Sequence, residues 1–143
     1  MAVEPQRSED SASTPPPPPQ IALVGSVRTP PMPDPSEAMT IHVTLPPGST
    51  GSPPHRHPGP AFGYVIEGEL RFELEGDPER VVHAGETFWE PGGDVIHYQD
   101  GNNLDDAPTR FVVTMFGVPG QQMLIPVTAE ELEQRRPRRA ARP

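Results

Sequence analysis

The sequence predicts an all-β chain folded as a sandwich or barrel, and three observations carry that expectation. Short apolar, β-branched stretches recur at regular spacing, with Gly, Pro and Asp turn signals between them. One stretch, Glu69-Leu-Arg-Phe-Glu-Leu-Glu75, alternates strictly, which describes a strand with Leu70, Phe72 and Leu74 on one buried face. Only Thr128 to Arg136 reads as helix. There Thr128 and Glu131 have capping-box spacing and the acids precede the Arg residues, as a helix dipole favours.

The elements follow in order. Residues 1–20 are polar and Pro-rich, with the run Pro15 to Pro19, and are expected to be a disordered extension with polyproline II character. Thr29 to Pro35 is a rigid connector that neither helix nor central strand accommodates. Strands are expected at Met39–Leu45, Phe62–Ile66, Glu69–Glu75, Arg80–His83, Thr87–Trp89, Val95–Gln99, Arg110–Gly117 and Met123–Val127. Turns at Gly68, Gly76-Asp77-Pro78, Gly85 and Pro91-Gly92-Gly93 separate them, and Asn102 to Pro108 is an acidic loop. The organisation is a Pro-rich extension (1–20), one β domain (21–127), and a short helix with an Arg-rich tail (128–143).

Composition narrows the function classes. A chain of 143 residues suits one domain, and the absence of Cys rules out disulfides and thiolate metal sites. The formal net charge is −9, and an acidic body repels a phosphate backbone, so nucleic acid is not an expected partner. All acids precede Gln134, and Arg135-Arg136-Pro137-Arg138-Arg139 reads as a solvated tail. Glu67, Glu69, Glu73 and Glu75 likewise read as a solvated face. The start lacks the layout of a secretory signal and Ile21 to Val27 is too short to span a bilayer, so a cytoplasmic location without membrane contact is expected.

The chemistry concentrates in Pro53-Pro54-His55-Arg56-His57-Pro58-Gly59-Pro60. Two His at i and i+2 in extended chain share a face about 6–7 Å apart along the strand, close enough for both imidazoles to converge on one ion. The flanking prolines hold the segment extended. His97, after a Gly-rich turn on a later strand, is the third expected ligand. His42 and His83 have no such pairing and read as structural.

These residues resemble those of the cupin superfamily, in its small single-domain form. His55 and His57 resemble motif one, G-x5-H-x-H-x3,4-E-x6-G. Gly85 to His97 resembles motif two, G-x5-P-x-G-x2-H-x3-N, with Gly68, Gly85, Pro91 and Gly93 at the family's turn positions. The resemblance implies a jelly-roll (double-stranded β-helix) barrel and a homodimer, for which Ile21 to Val27 offers a pairing segment. Two departures stand out: Ala61 occupies the motif-one Glu position, so the family's carboxylate ligand is absent, and Asn102 comes one residue late.

Three neutral imidazoles leave the charge of a divalent ion (Fe2+, Mn2+, Ni2+ or Zn2+) uncompensated and about half of an octahedral shell open. Such a site favours an anionic chelating substrate, and resemblance to three-His cupins implies an oxygenase. The alternatives are a Zn-dependent isomerase or cyclase, a non-catalytic module sensing a small molecule or metal, and a barrel with a degraded site. Gln99, Tyr64 and Glu90 are possible further ligands, each expected more readily in a packing or surface role. Phe62, Phe72, Trp89 and Phe111 are expected to wall the pocket.

Overall fold

A computed structural model describes residues 14–142 of the chain. The expected disorder of the extension falls largely on residues 1–13, which lie outside the described residues; residues 14–36 are without helix or strand. Nine strands follow: β1 (Glu37–Leu45), β2 (His55–Arg56), β3 (Ala61–Glu67), β4 (Glu69–Leu74), β5 (Arg80–His83), β6 (Thr87–Glu90), β7 (His97–Gln99), β8 (Thr109–Gly117) and β9 (Ile125–Pro126). They form two antiparallel sheets of order β1-β8-β3-β6 and β5-β4-β7-β2-β9, the jelly-roll layout the resemblance implies. No helix among the described residues is long and apolar enough to cross a membrane.

Alternation builds the core. On β8, Thr109, Phe111, Val113, Met115 and Gly117 point inward while the residues between them are half-exposed. Val65, Phe88, Phe111 and Val113 from the first sheet meet Leu70, Phe72, Leu74 and Val82 from the second. Gly63 makes room for this meeting, since a Cβ there would overlap the Phe88 ring. Gly68 alone joins β3 to β4 at φ 80°, a left-handed conformation, and abuts Thr109, so side chains are excluded on two counts.

The late Asn102 ties down the acidic loop. It is buried, its amide nitrogen donates to the carbonyls of Pro46 (3.0 Å) and Ala107 (2.8 Å), and its oxygen accepts from Leu104 N–H (2.9 Å). Its role is to close loops, satisfying backbone groups that would otherwise be buried unpaired.

Two sequence expectations fail together. The alternation of β4 ends at Glu73, which is only 2% exposed, and the Glu75 side chain beyond it is 10% exposed. The Arg-rich segment is a solvated tail only in part: Arg136, Arg138 and Arg142 are exposed, whereas Arg135 and Arg139 fold back and neutralise those acids. After β9, helix α1 (Ala129–Arg135) starts at Thr128, whose hydroxyl accepts from Glu131 N–H, and passes into a 3-10 turn (Arg136–Arg138). Arg135 grips Glu75 through Nε (2.9 Å) and Nη2 (2.5 Å) and reaches Asp94 through Nη1 (2.8 Å). Arg139 holds Glu73 with two bonds of 2.6 and 2.8 Å while its guanidinium lies 4.5 Å over the Tyr98 ring. Glu131 leaves the expected capping box to accept from Arg56 on β2. A run of like charge needs partners when acids are buried beside it, and sequence separation hid them.

Ile21, Leu23, Val24 and Val27 are exposed and outside any strand.

Arg139→Ala strips Glu73 of its bidentate partner, leaving Arg142 at 3.8 Å as its remaining cation. The expected loss is about 3 kcal/mol, measured by denaturant unfolding, and Glu73→Leu in the same chain recovers most of it. Equal losses in the single and double variants would contradict this account.

Candidate metal centre

The site lies where the two sheets meet at one end of the inner space. β2 carries His55, with its Cα directly opposite that of His97 on β7. His57 follows two residues on, and its carbonyl accepts from Gly93 N–H at 2.8 Å, which ties the His-bearing segment to the Gly-rich turn. Arg56, between the two His, points the other way to Glu131, as alternation requires. All three His are buried. The His55 ring centroid is 4.8 Å from that of His57 and 4.9 Å from that of His97.

Glu90, at the end of β6 in the opposite sheet, completes the group. Its side chain is buried, and Oε2 lies 3.3 Å from His57 Nε2 and 3.2 Å from His97 Nδ1. One donor atom from each of His55, His57, Glu90 and His97 falls within 4.8 Å of all the others. Ligand atoms about 2.0–2.2 Å from one ion stand at most about 4.4 Å apart, so a small inward shift brings the four into coordination. Hydrogen bonds preset two rings: His55 Nδ1 donates to the Pro53 carbonyl (2.9 Å) and His57 Nδ1 to the Met123 carbonyl (2.5 Å). Each Nε2 therefore keeps its lone pair for an ion, the arrangement in which backbone carbonyls orient metal-binding imidazoles. His97 is the telling case. Its Nδ1 approaches Glu90 off the hydrogen-bonding direction, and neither of its buried ring nitrogens has a hydrogen-bond partner. Buried orphan nitrogens are costly, and a metal ion is a partner that removes the cost. The residues present fit the group.

Electrostatics agree with this reading. Burial alone would raise the Glu90 carboxyl, but the imidazoles of His97, then His57 and His55, outweigh it and hold it below the usual range. Burial opposes charge on His97 as well, yet the Glu90 carboxylate raises it above the ordinary imidazole value. On His55 burial prevails and the shift is downward.

The expected residues are placed as follows. His55, His57 and His97 come together. Glu90, expected more readily in packing, sits among them. The reason is register: Ala61, where motif one has its Glu, is the Cα partner of Glu90 across β3 and β6. The carboxylate is supplied from the neighbouring strand at the same level, so the inference that it is missing is corrected. The one sequence signal was alternation, which places Glu90 on the inward face of Phe88. Gln99 turns to accept from Gly101 N–H and Tyr64 lies on the outward face of β3; neither lines the cavity.

The wall of the cavity also departs from expectation. Phe111 lines it, together with Phe88. Phe72 packs behind His97, ring centroids 4.9 Å apart, and so braces a ligand without facing the cavity. Phe62 and Trp89 pair across β3 and β6 on the outer face, because alternation that turns Ala61 and Glu90 inward turns these outward. His42 and His83 stand apart from the site.

Comparisons with known proteins agree with the fold. The family model described as "Cupin domain" matches residues 41–115, more than half of the chain. No curated protein sequence matches. Among solved structures, an oxalate oxidase in complex with the substrate analogue glycolate is 29% identical with a TM-score of 0.51, over 68% of this chain and 55% of that one. A DMSP lyase from Ruegeria pomeroyi is 23% identical (TM-score 0.52; 63% of this chain, 43% of that one). A cupin-like protein from Thermotoga maritima is also 23% identical (TM-score 0.52; 73% and 75%). The chain thus spans only about half the length of the oxalate oxidase.

Because Ala61 and Glu90 face each other, the carboxylate should be transferable between them. Glu90→Ala is expected to weaken metal binding at least about tenfold, and adding Ala61→Glu to restore most of it, read by competition with a coloured chelator. Failure of the double variant to recover, with its fold intact by circular dichroism, would argue against the shared position.

Proposed function

This chain belongs to the cupin domain family, and on that premise we propose that it is a metal-dependent enzyme whose small-molecule substrate coordinates one divalent ion held by His55, His57, Glu90 and His97. The observation that carries the proposal is the convergence of four buried donors on one point beside a cavity of about 460 Å³. That volume lies within the range of about 300–1,000 Å³ typical of pockets for organic ligands. A divalent ion there supplies Lewis acidity and, where the metal is redox-active, electron transfer to the coordinated molecule.

The protein's own part is to hold, orient and exclude water. Carbonyls of Pro53 and Met123 fix the His55 and His57 rings, and Phe72 backs His97. Glu90 cancels half of the ion's charge, so the residual charge is smaller than a three-His site would leave. Nitrogen and oxygen donors without thiolate suit Fe, Mn, Ni and Zn alike. Resemblance to an oxalate oxidase at 29% identity supports oxidation with dioxygen over the Lewis-acid alternative.

Elemental analysis of the purified full chain is expected to find close to one equivalent of metal, falling to less than about a tenth of that in His55→Ala/His57→Ala. Oxygen uptake by the Fe- or Mn-loaded protein, screened against diketones, catechols and hydroxy-acids, is expected with at least one class. Unchanged metal content in the double variant defeats the metal assignment, and retained metal without oxygen uptake defeats the oxidation reading.

A further inference from the structure

The charge and surface of the cavity say more about its occupant, given the metal centre proposed above. Its wall is apolar over most of its extent. Met39, Ile41 and Val43 come from β1, and Phe111, Val113 and Met115 from β8 or its inward face. Among the lining residues there is no Arg, and the chain contains no Lys, so the wall offers no cation to a second carboxylate. It does offer a second acid. Asp100, half-buried, lines the cavity too, its Oδ1 accepting from Ser52 N–H at 2.6 Å. One divalent ion against the carboxylates of Glu90 and Asp100 leaves the space near neutrality before any substrate arrives.

Dianions are poorly served by such a site. A dicarboxylate longer than oxalate puts its second anionic end against hydrocarbon or Asp100, and neither repays its lost hydration; oxalate, which chelates an ion through both carboxylates, brings two negative charges and no apolar body to a space that Glu90 and Asp100 have already balanced. An apolar body gains instead. Met39 and Ile41 are 40% and 39% exposed at the open side, apolar surface that an occupant would cover. Methionines at Met39, Met115 and Met123 give this wall side chains that adapt to irregular shapes.

We infer that the substrate is a neutral or monoanionic chelator with an extended apolar body, and not a small dicarboxylate. The head group ligates the ion, and the body lies along the β1 and β8 wall towards the mouth. Despite the resemblance to an oxalate oxidase, oxalate is the kind of molecule this cavity disfavours.

Alkyl hydroxamates test this directly, because the metal-binding head stays constant while the chain grows. Calorimetric affinities for acetohydroxamate through octanohydroxamate, and for oxalate, are measured on metal-loaded and metal-stripped full-length protein. Affinity is expected to rise by up to about fourfold per methylene buried, the equivalent of about 0.8 kcal/mol per CH₂. Octanohydroxamate is expected to bind the loaded protein at least about a hundredfold more tightly than oxalate. Ile41→Asp, at a position already part-exposed, should flatten the chain-length series, and Asp100→Asn should improve oxalate binding. A flat series on folded protein, or oxalate binding more tightly than octanohydroxamate, overturns the inference. A rising series identical in loaded and stripped protein upholds the apolar wall and counts against the metal centre instead, so the two readings fail separately.

Discussion

A carboxylate with 4% exposure and three imidazoles within reach is the constraint to which the rest of the structure answers. Burial penalises a lone anion heavily, and the cost is bearable only if cations or an ion stand close by. The Glu90 side chain therefore needs His57 and His97 within about the distances found, and these need His55 opposite to complete the group. The Pro-bounded extended segment, the Gly-rich turn and the register of β3 against β6 are the means by which the backbone meets that demand.

The same rule operates on the other side of the second sheet, with opposite hardware. Glu73 and Glu75 are enclosed there too, but Arg135 and Arg139 neutralise them from the C-terminal segment. That segment reaches the metal centre as well. It supplies the Met123 carbonyl to His57, pairs Ile125 and Pro126 against β2, and anchors Arg56 through Glu131. The segment bearing His55 and His57 is thus held between β7 and the C-terminal segment, with Arg56 fastened outward to Glu131 while the imidazoles point inward.

Local pattern made much of this legible. Alternation and turn chemistry gave the strands to within a few residues, the Thr128 cap gave the helix start, and spacing gave His55 and His57. What escaped were relations across the sequence. The strand His55–Arg56 is too short to show periodicity, and β9 shrank to Ile125–Pro126 where a longer strand was expected. Sequence offered Glu90 only as one of three possible further ligands, and what separates it from Gln99 and Tyr64 is the register that sets it against Ala61, a fact held in no single segment. Glu73 read as solvated because strict alternation was extended through a register shift against β7. The Arg-rich stretch read as a tail because its partners lie some sixty positions earlier. Charge runs are solvated by default, and burial of their counterparts is what reverses the default.

The pairing order carries a kinetic consequence. Among the described residues β1 finds its sheet neighbour only in β8, as in Leu45 against Thr109, and β2 is flanked on one side by β9, as in His55 against Pro126. Such distant closures spend chain entropy before any contact repays it, and topologies of this kind fold in milliseconds to seconds. The hairpin of β4 and β5 is local and free to form early, whereas the donor group waits for the most remote pairings. The four donors from β2, β6 and β7 and the residue after β2 therefore come together only as the sheets close, which makes their convergence a late event in folding.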